Sequence, residues 1–321
     1  MKNIFTKSGK ISVIFACVVF LAASASAQLS LRKALDYDGD NKADFAVFRP
    51  TNSVWYINKS GGGFTFQQFG SPTTDIETPG DYDGDGKGDI SIWRDTNGIW
   101  YRINSSNNTV AGVQFGAPGD QPVARDYDGD GKTDVAVVRD NPTSKTKTWF
   151  ALRSSNGSLL ATQFGTDDDY VAPGDYDGDG KFDLAVQRPG ASGTAPAVFY
   201  ILQSGNNTLL TIPWGFSGDL VVPGDYDGDG KTDVAVVRET TTTLNWYIRQ
   251  SSDGGLKAAA FGAAGTDLTV QNDYDGDGKT DIAVWRDTNG IFYVLRSTDG
   301  GLTGVQWGAP SDFPIASHDT H

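Results

Sequence analysis

Six copies of a short aspartate-rich phrase place four acids at a spacing that suits a metal ion. Each copy has the form Asp-x-Asp-x-Asp-x-x-x-Asp, with acids at positions 1, 3, 5 and 9, and five of the six have glycine at position 6. Calcium is a hard cation that takes about six to eight oxygen ligands, and alternate carboxylates on a curled loop supply them. We expect the backbone carbonyl of the lysine at position 7 to be a fifth protein ligand, with water completing the shell.

The predicted metal ligands occur in six acidic loops, numbered in chain order. They are Asp36, Asp38, Asp40, Lys42 and Asp44 in loop 1; Asp81, Asp83, Asp85, Lys87 and Asp89 in loop 2; Asp126, Asp128, Asp130, Lys132 and Asp134 in loop 3; Asp175, Asp177, Asp179, Lys181 and Asp183 in loop 4; Asp225, Asp227, Asp229, Lys231 and Asp233 in loop 5; and Asp273, Asp275, Asp277, Lys279 and Asp281 in loop 6. Loop 1 has Asn41 where the others have glycine. Asparagine tolerates a positive φ better than most residues, so we expect weaker binding there rather than none.

Three alternatives to a nine-residue calcium loop fit this pattern less well. An EF-hand needs a bidentate acid at position 12, but that position is apolar in every copy: Val47, Ile92, Val137, Val186, Val236 and Val284. Metal-free Asp-Gly turns would leave close carboxylates repelling each other by on the order of a kcal/mol per pair even in water. Magnesium resists crowded carboxylate cages. The sequence therefore predicts about six bound Ca²⁺ ions, one per loop.

The elements that carry the loops repeat with them. Successive loops begin 45, 45, 49, 50 and 48 residues apart, which indicates one array rather than two domains. Each period contains an apolar run after the loop, two more strand-like runs separated by Gly- or Asn-containing turns, and a short run before the next loop. Four strands in such a period are typical of a propeller blade. We predict an all-β, six-bladed β-propeller of four-stranded antiparallel blades with almost no helix.

Two features of the array refine this prediction. The run after each loop is apolar on both faces, as expected of a strand covered by neighbouring blades; a linear β-solenoid is the competing architecture. The tail 311–317 parallels the segment 119–125 before loop 3, and residues 29–35 offer a similar strand at the start. We expect one of these two segments to complete a shared blade and the other to be redundant.

The N-terminal residues indicate an exported protein. Lys2, Lys7 and Lys10 precede an apolar run that ends in Ala25-Ser26-Ala27, which predicts a signal peptide over residues 1–27 and a propeller over 28–321. The apolar run is too short for a membrane span. The single cysteine, Cys17, lies in this leader, so the mature chain has no disulfide, thiol catalysis or Cys-ligated zinc. We expect a monomer that is secreted, periplasmic or at the cell surface.

The net charge of −14 becomes −17 when the three leader lysines are removed. A surface of that sign should repel nucleic acid and anionic lipid, and cations are the expected partners. Six bound Ca²⁺ ions would carry twelve positive charges and bring the mature charge to about −5.

The loop pattern resembles that of the FG-GAP and VCBS-repeat propellers, a group that includes the integrin α-chain head and many exported bacterial proteins. The resemblance covers the whole predicted mature chain and rests on the repeated nine-residue loop. Literal Phe-Gly-Ala-Pro occurs at Phe115–Pro118 and Trp-Gly-Ala-Pro at Trp307–Pro310. The resemblance implies calcium held on one rim for stability, with ligand recognition by other loops. Integrin heads have seven blades, whereas six loops are present here.

An arginine and an aromatic pair also recur in every period. The arginines are Arg49, Arg94, Arg139, Arg188, Arg238 and Arg286. One interpretation is architectural, with each arginine bridging a loop carboxylate and one ring filling the groove between blades. The other is a sugar site between blades, for which Arg94, Trp100, Arg238 and Trp246 are the candidate residues, with avidity from repetition.

Catalysis is not expected. The two histidines, His318 and His321, are in the last four residues, and no nucleophile elbow or phosphate loop is present. A carbohydrate-active hydrolase or lyase is the minor alternative. The sequence favours an adhesion module for glycan or protein ligands, with a purely structural surface scaffold as the second possibility.

Overall fold

The computed structural model describes residues 34–316, and these form six four-stranded antiparallel sheets. Each sheet is one blade, so the protein is the six-bladed β-propeller that the repeat predicts. No residue of 34–316 is helical, and within that range no helix is available to cross a membrane. The predicted signal peptide, residues 1–27, lies outside the described residues.

The strands follow the chain from blade to blade. Blade 1 contains β1 (Phe45–Arg49), β2 (Val54–Asn58) and β3 (Phe64–Gln68). Blade 2 contains β4 (Asp75–Glu77), β5 (Ile90–Arg94), β6 (Ile99–Ile103) and β7 (Val110–Gln114). Blade 3 contains β8 (Gln121–Pro122), β9 (Val135–Asn141), β10 (Thr146–Leu152) and β11 (Leu159–Thr166). Blade 4 contains β12 (Tyr170–Val171), β13 (Leu184–Arg188), β14 (Pro196–Leu202) and β15 (Leu209–Phe216). Blade 5 contains β16 (Leu220–Val221), β17 (Val234–Glu239), β18 (Thr243–Arg249) and β19 (Leu256–Ala263). Blade 6 contains β20 (Asp267–Thr269), β21 (Ile282–Arg286), β22 (Ile291–Leu295) and β23 (Leu302–Gln306), and β24 (Phe313–Pro314) follows.

Burial along the strands confirms the predicted order of each blade. The strand after each loop is covered on both faces, as in β13, where residues 184–187 are all buried. The fourth strand of a blade alternates between more exposed and less exposed residues, as in β7. Chain order in each of blades 2 to 6 is also spatial order, with every strand paired to the next. Each acidic loop therefore connects the first strand of its blade to the second.

A large aromatic residue in the third strand packs into the core of each blade. Six side chains occupy this position and are at most 2 % exposed: Trp55, Trp100, Trp149, Phe199, Trp246 and Phe292. Where the residue is tryptophan, its indole N–H has a backbone acceptor, for example from Trp246 Nε1 to the Phe261 carbonyl at 2.9 Å. Burying rings of this size without an unpaired N–H gives the disulfide-free chain much of its core.

The ring closes through both ends of the described chain. Strand β24 pairs with β1, so the C-terminal segment supplies the start of the first, or inner, strand of blade 1. The Asp44 N–H donates to the Leu35 carbonyl at 2.8 Å, as the Asp134 N–H donates to the Arg125 carbonyl in blade 3, so the N-terminal segment completes that strand. The expectation that one terminal segment is redundant is therefore wrong. Residues 34–35 and 313–315 both contribute to that strand, while residues 29–33 of the predicted N-terminal strand lie outside the described residues.

Candidate functional site

The first and last acids of each loop are buried beneath it. In loop 5, Asp225 Oδ1 accepts from the Gly228 N–H at 2.6 Å and Oδ2 accepts from the Gly230 N–H at 2.9 Å. Asp233 Oδ2 accepts from the Tyr226 N–H at 2.9 Å. Both carboxylates are nearly inaccessible to solvent, at 2 % and 0 % exposure. These contacts fix two carboxylates on the protein side of the loop.

The third and fifth positions lie on the solvent side, and the hairpin between the third and fourth strands holds them. Ser251, which follows the third strand of blade 5, donates its N–H to Asp233 Oδ1 at 2.7 Å and its hydroxyl to Asp229 Oδ1 at 2.8 Å. The Ser252 hydroxyl donates to Asp227 Oδ2 at 2.6 Å. The loop is thus clamped by a second segment of the same blade.

Equivalent serines clamp every loop, and they were missed from the sequence. In each blade this serine donates its N–H to the position 9 carboxylate at 2.6–2.7 Å. Its hydroxyl also donates to the position 5 carboxylate. The serines are Ser60, Ser105, Ser154, Ser204, Ser251 and Ser297. Their recurrence shortly after the third strand was the available signal.

The carboxylates converge as a metal site requires. In loops 1, 2 and 5 the acids at positions 1, 3 and 5 each offer an oxygen, and these oxygens lie within 4.8 Å of one another. In loops 3 and 4 the converging acids are at positions 1, 3 and 9. The clustered acids are Asp36, Asp38 and Asp40; Asp81, Asp83 and Asp85; Asp126, Asp128 and Asp134; Asp175, Asp177 and Asp183; and Asp225, Asp227 and Asp229. One further group of this kind is present among the described residues. Several acidic clusters could therefore hold metal ions.

Without a cation, the buried acids of the loops hold their protons more tightly than an exposed aspartate does. Burial raises the pKa of Asp44 and of Asp183 to about 7, although backbone N–H groups stabilise their charged forms. Burial likewise raises the pKa of Asp89 to about 6 and that of Asp225 to about 7. Neighbouring loop carboxylates add to the rise in each case. A positive charge at the centre of the loop would stabilise the ionised carboxylates against both burial and mutual repulsion. This donor set therefore fits a divalent ion.

The backbone of loop 1 confirms that Asn41 can replace glycine. Asn41 has φ 68°, in the left-handed region that Gly86, Gly131 and Gly230 occupy at φ 89°, 86° and 83°. The Asn41 N–H donates to Asp36 Oδ2 at 2.8 Å, as the Gly131 N–H does to its own first aspartate. Loop 1 therefore has the same form as the others, while its expected weaker affinity stays a prediction.

The six loops are joined to one another in a closed ring, which was also missed from the sequence. The N–H of position 8 in each loop donates to the carbonyl of position 1 in the preceding loop, at 2.6–2.8 Å. The donors are Ala43, Gly88, Thr133, Phe182, Thr232 and Thr280, and their acceptors are the carbonyls of Asp273, Asp36, Asp81, Asp126, Asp175 and Asp225.

The position 7 lysines reinforce the ring. The lysine side chain of each loop lies over the position 4 glycine of the preceding loop. A Cβ built on Gly228 would meet Lys279 Cε at 2.8 Å, and one built on Gly84 would meet Lys132 Cε at 2.6 Å. The glycine is thus required by a close approach between loops as well as by its positive φ, 81° at both positions.

The recurrent arginines lie at the other end of the blades from the loops, and their partners differ from the predicted ones. Arg94 bonds Asp75 through Nε and Nη2 at 2.7 and 2.8 Å. Asp75 opens the inner strand of the blade and belongs to no acidic loop. The other pairs are Arg49–Asp312, Arg139–Asp120, Arg188–Asp169, Arg238–Asp219 and Arg286–Asp267. The prediction that each arginine bridges a loop carboxylate is wrong, because the strand after the loop carries the arginine to the opposite face of the ring.

The structure favours the architectural interpretation of the candidate sugar residues. Trp100 and Trp246 are 2 % and 0 % exposed, so neither ring face is open to a pyranose. Arg94 and Arg238 are bound to aspartates and stack on Tyr101 and Tyr247, each 4.8 Å from the ring centroid. All four side chains therefore have structural partners, and a sugar could reach the tryptophans only if the blades opened.

A comparison with known families agrees with the repeated architecture. The family model described as "FG-GAP-like repeat" matches residues 81–137 and 126–186. No curated protein matches the sequence. Among solved structures, the dihydro-heme d1 dehydrogenase NirN is 13% identical with a TM-score of 0.40, and the match covers 85% of this chain and 55% of that one. This chain thus spans about half the length of NirN.

Two further solved structures show the same level of similarity. Rhamnogalacturonan lyase YesW is 13% identical with a TM-score of 0.37, covering 83% of this chain and 68% of its own. The β-propeller domain of the Trilobed protease from Pyrococcus furiosus is 13% identical with a TM-score of 0.39, covering 74% and 84%.

Proposed function

Because this chain is a six-bladed β-propeller that carries FG-GAP-like repeats, we propose that it is an exported, calcium-binding module that presents its loops to glycan or protein ligands. The observation that carries the proposal is the convergence of three carboxylate oxygens within 4.8 Å in loop after loop around the ring. Carboxylates held this close, with one of them buried, repel one another strongly unless a cation offsets their charge.

Calcium is the ion that this donor set suits best. The acids at positions 1 and 9 approach from the protein side, and those at positions 3 and 5 from the solvent side, where water can complete the shell. The carbonyl at position 7 adds a neutral oxygen. Flexible coordination by about six to eight oxygens is a property of calcium, whereas magnesium demands a near-ideal octahedron and keeps several waters. When bound, the ion supplies positive charge to a rim that is rich in carboxylates.

The binding role rests on the architecture of the ring. A rigid propeller whose loops are joined into one closed ring displays hairpins around a broad face, and extracellular calcium concentrations fill sites with Kd of about 10⁻⁴ to 10⁻³ M. The second candidate is a purely structural surface scaffold, which the same loop ring supports. We do not propose catalysis, because the recurrent acids of residues 34–316 are engaged in the loops or in arginine pairs.

Titration of the chelated protein with Ca²⁺ and with Mg²⁺ tests the metal assignment. We expect Asp227→Asn to remove about one calcium from the measured stoichiometry, because position 3 loses its charge without a change in size. Asp253→Asn is the matched control, since Asp253 is an exposed hairpin residue of the same blade outside the loop. Equal calcium counts in both variants and the parent would contradict the assignment.

A glycan and matrix-protein array tests the binding role. The mature protein is applied in millimolar calcium and again in EDTA, with circular dichroism confirming that the EDTA-treated protein is folded under the array conditions. Calcium-dependent capture by a defined ligand supports the adhesion module. A protein that binds calcium but captures nothing on either array would leave the structural scaffold as the function.

A further inference from the structure

A cavity of about 430 Å³ opens between blades 3 and 4, beside loop 3. Its volume falls within the range of about 300–1,000 Å³ typical of small-molecule sites. Its apolar lining, here called the floor, includes the half-buried Leu160 and Leu202. Asp128, the position 3 acid of loop 3, lies in its wall. The cavity is distinct from the grooves that the recurrent arginines and tryptophans occupy, because it lies on the loop face of the ring.

The cavity is lined by two cations in a protein that is otherwise strongly acidic. Arg153 precedes the clamping serine of blade 3, and Lys181 is the position 7 lysine of loop 4; both line the cavity. The carbon chain of Lys181 lies against Gly129 of loop 3, with a Cβ at Gly129 placed 3.0 Å from its Cγ. Two cations against one acid, Asp128, leave the lining with a formal charge of +1 in a protein of net charge −14.

A comparison with blade 6 shows that Arg153 lacks the partner its counterpart has. Arg296, at the equivalent position, donates to both carboxylate oxygens of Asp299, three residues later, at 3.0 and 2.9 Å. Blade 3 has Asn156 at that place, and the Arg153 guanidinium makes a long 3.5 Å bond to Ser158 Oγ. Asn156 Oδ1 accepts the Ser158 N–H at 2.8 Å, as Asp299 accepts from Gly301, so the turn is the same and only the charge is missing.

The remaining polar groups of the cavity can both donate and accept. Asn156, Gln203 and Asn207 contribute side-chain amides to its lining. An apolar floor with amides around it suits a molecule that has one apolar face and several hydroxyl groups at its edge, which describes a pyranose ring.

We propose that this cavity binds an acidic saccharide, with its carboxylate on Arg153, its ring face on the apolar floor and its hydroxyls on the surrounding amides. Lys181 adds a second positive charge on the loop 4 side. The inference rests on the proposed binding role of the propeller and names the ligand class for one site. A cation in loop 3 would offset the charge of Asp128, so binding should be stronger in calcium than after chelation.

Glucuronate and glucose are matched probes, because they differ only in having a carboxylate or a hydroxymethyl group at C6. We expect glucuronate to bind more tightly than glucose by about tenfold or more, since a charge-assisted bidentate bond to arginine is lost with the neutral sugar. Titrations are followed by calorimetry on the full mature chain in millimolar calcium. Equal affinities for the two sugars, or no binding of either, would overturn the proposal.

Asn156→Asp is the decisive variant. It places a carboxylate where blade 6 has Asp299, neutralises Arg153 and leaves the volume of the cavity unchanged. We expect a loss of glucuronate affinity of about tenfold or more with no change in calcium stoichiometry. Asp299→Asn in blade 6 is the matched control and should change neither. Unaltered glucuronate binding in N156D would refute the role of Arg153.

The same titrations separate this inference from the metal assignment. Calcium binding without glucuronate binding would contradict only the saccharide site. Equal glucuronate binding in calcium and in EDTA, with no calcium bound, would contradict the metal assignment and support the saccharide site. Binding of an acidic peptide such as oligoglutamate in place of glucuronate would contradict the saccharide class.

Discussion

Removal of metal should make the stability of this protein fall more steeply as pH rises. Asp44 and Asp183 have a pKa of about 7 in the metal-free fold, against about 3.9 for aspartate in an unfolded chain. Between these values the folded protein binds more protons than the unfolded chain, so the free energy of unfolding falls as pH rises from about 4 to about 7. Three pKa units correspond to about 4 kcal/mol for each of these carboxyls.

The sum of these losses determines how stable the chelated protein is near neutral pH. Asp89, Asp134 and Asp233 have a pKa of about 6, which adds about 3 kcal/mol each. A few such groups together match the whole stability of a typical domain, about 5–15 kcal/mol. We therefore expect the metal-free protein to be near its stability limit at pH 8 and to gain stability on mild acidification. In calcium at twenty times Kd, each site restores about 2 kcal/mol.

Thermal melting from pH 5 to pH 8, in 5 mM calcium and in EDTA, measures both curves. In EDTA the melting temperature should fall as pH rises across this window, with most of the loss between pH 5 and 7. In calcium the fall toward pH 8 should be smaller, because the ion restores about 2 kcal/mol per occupied site at high pH, whereas protons displace it from the same carboxylates toward pH 5. A melting temperature in EDTA that is flat or rises from pH 5 to pH 8 would refute the assignment of buried, uncompensated aspartates. Coincident curves in calcium and EDTA would refute the metal sites.

Three substitutions test the contact between loops, one of the arginine pairs and the backbone of Asn41. Gly228→Ala should lower the free energy of unfolding by about 1–2 kcal/mol more than Gly265→Ala, since both glycines have positive φ but only Gly228 is covered by the lysine of the next loop. Equal losses in urea melts would exclude that contact. Arg238→Ala should cost about 2–3 kcal/mol, because Asp219 is left buried at 6 % exposure without its partner; a loss under 0.5 kcal/mol in the same melts would contradict the pair's structural role. Asn41→Gly should tighten calcium binding in loop 1 and stabilise the protein by about 1 kcal/mol, because asparagine is strained at φ 68°. Unchanged calorimetric titrations and melts would show that the asparagine has no effect there.

The architecture and the loop ligands were predictable because they depend on short, contiguous patterns. Four acids within nine residues define a loop without knowledge of anything else, and their recurrence at about 45–50 residues defines a blade. The absence of helix from residues 34–316 and the doubly covered strand after each loop follow from the apolar pattern in the same way. Asn41 adopts the glycine-like backbone that its small polar side chain allows.

Contacts between segments were not predictable to the same degree. The clamping serine is 16 residues after the last loop acid in blade 1 and 21 residues after it in blade 4, so insertions in the intervening hairpin hide its register. Arg94 and Asp75 are 19 residues apart, and the same interval recurs in blades 3 to 6, yet the nearer loop acids were the more obvious partners. The shared inner strand of blade 1 depends on where both ends of the chain meet, which only the closed ring determines.

The most direct test of the central claim is a metal analysis of the purified mature protein after equilibration in calcium and removal of free ion. Convergent carboxylates in loop after loop predict about six calcium ions per chain, with the site of loop 1 the first to empty on dilution. A protein that retains no calcium, while remaining folded at pH 8, would contradict the account.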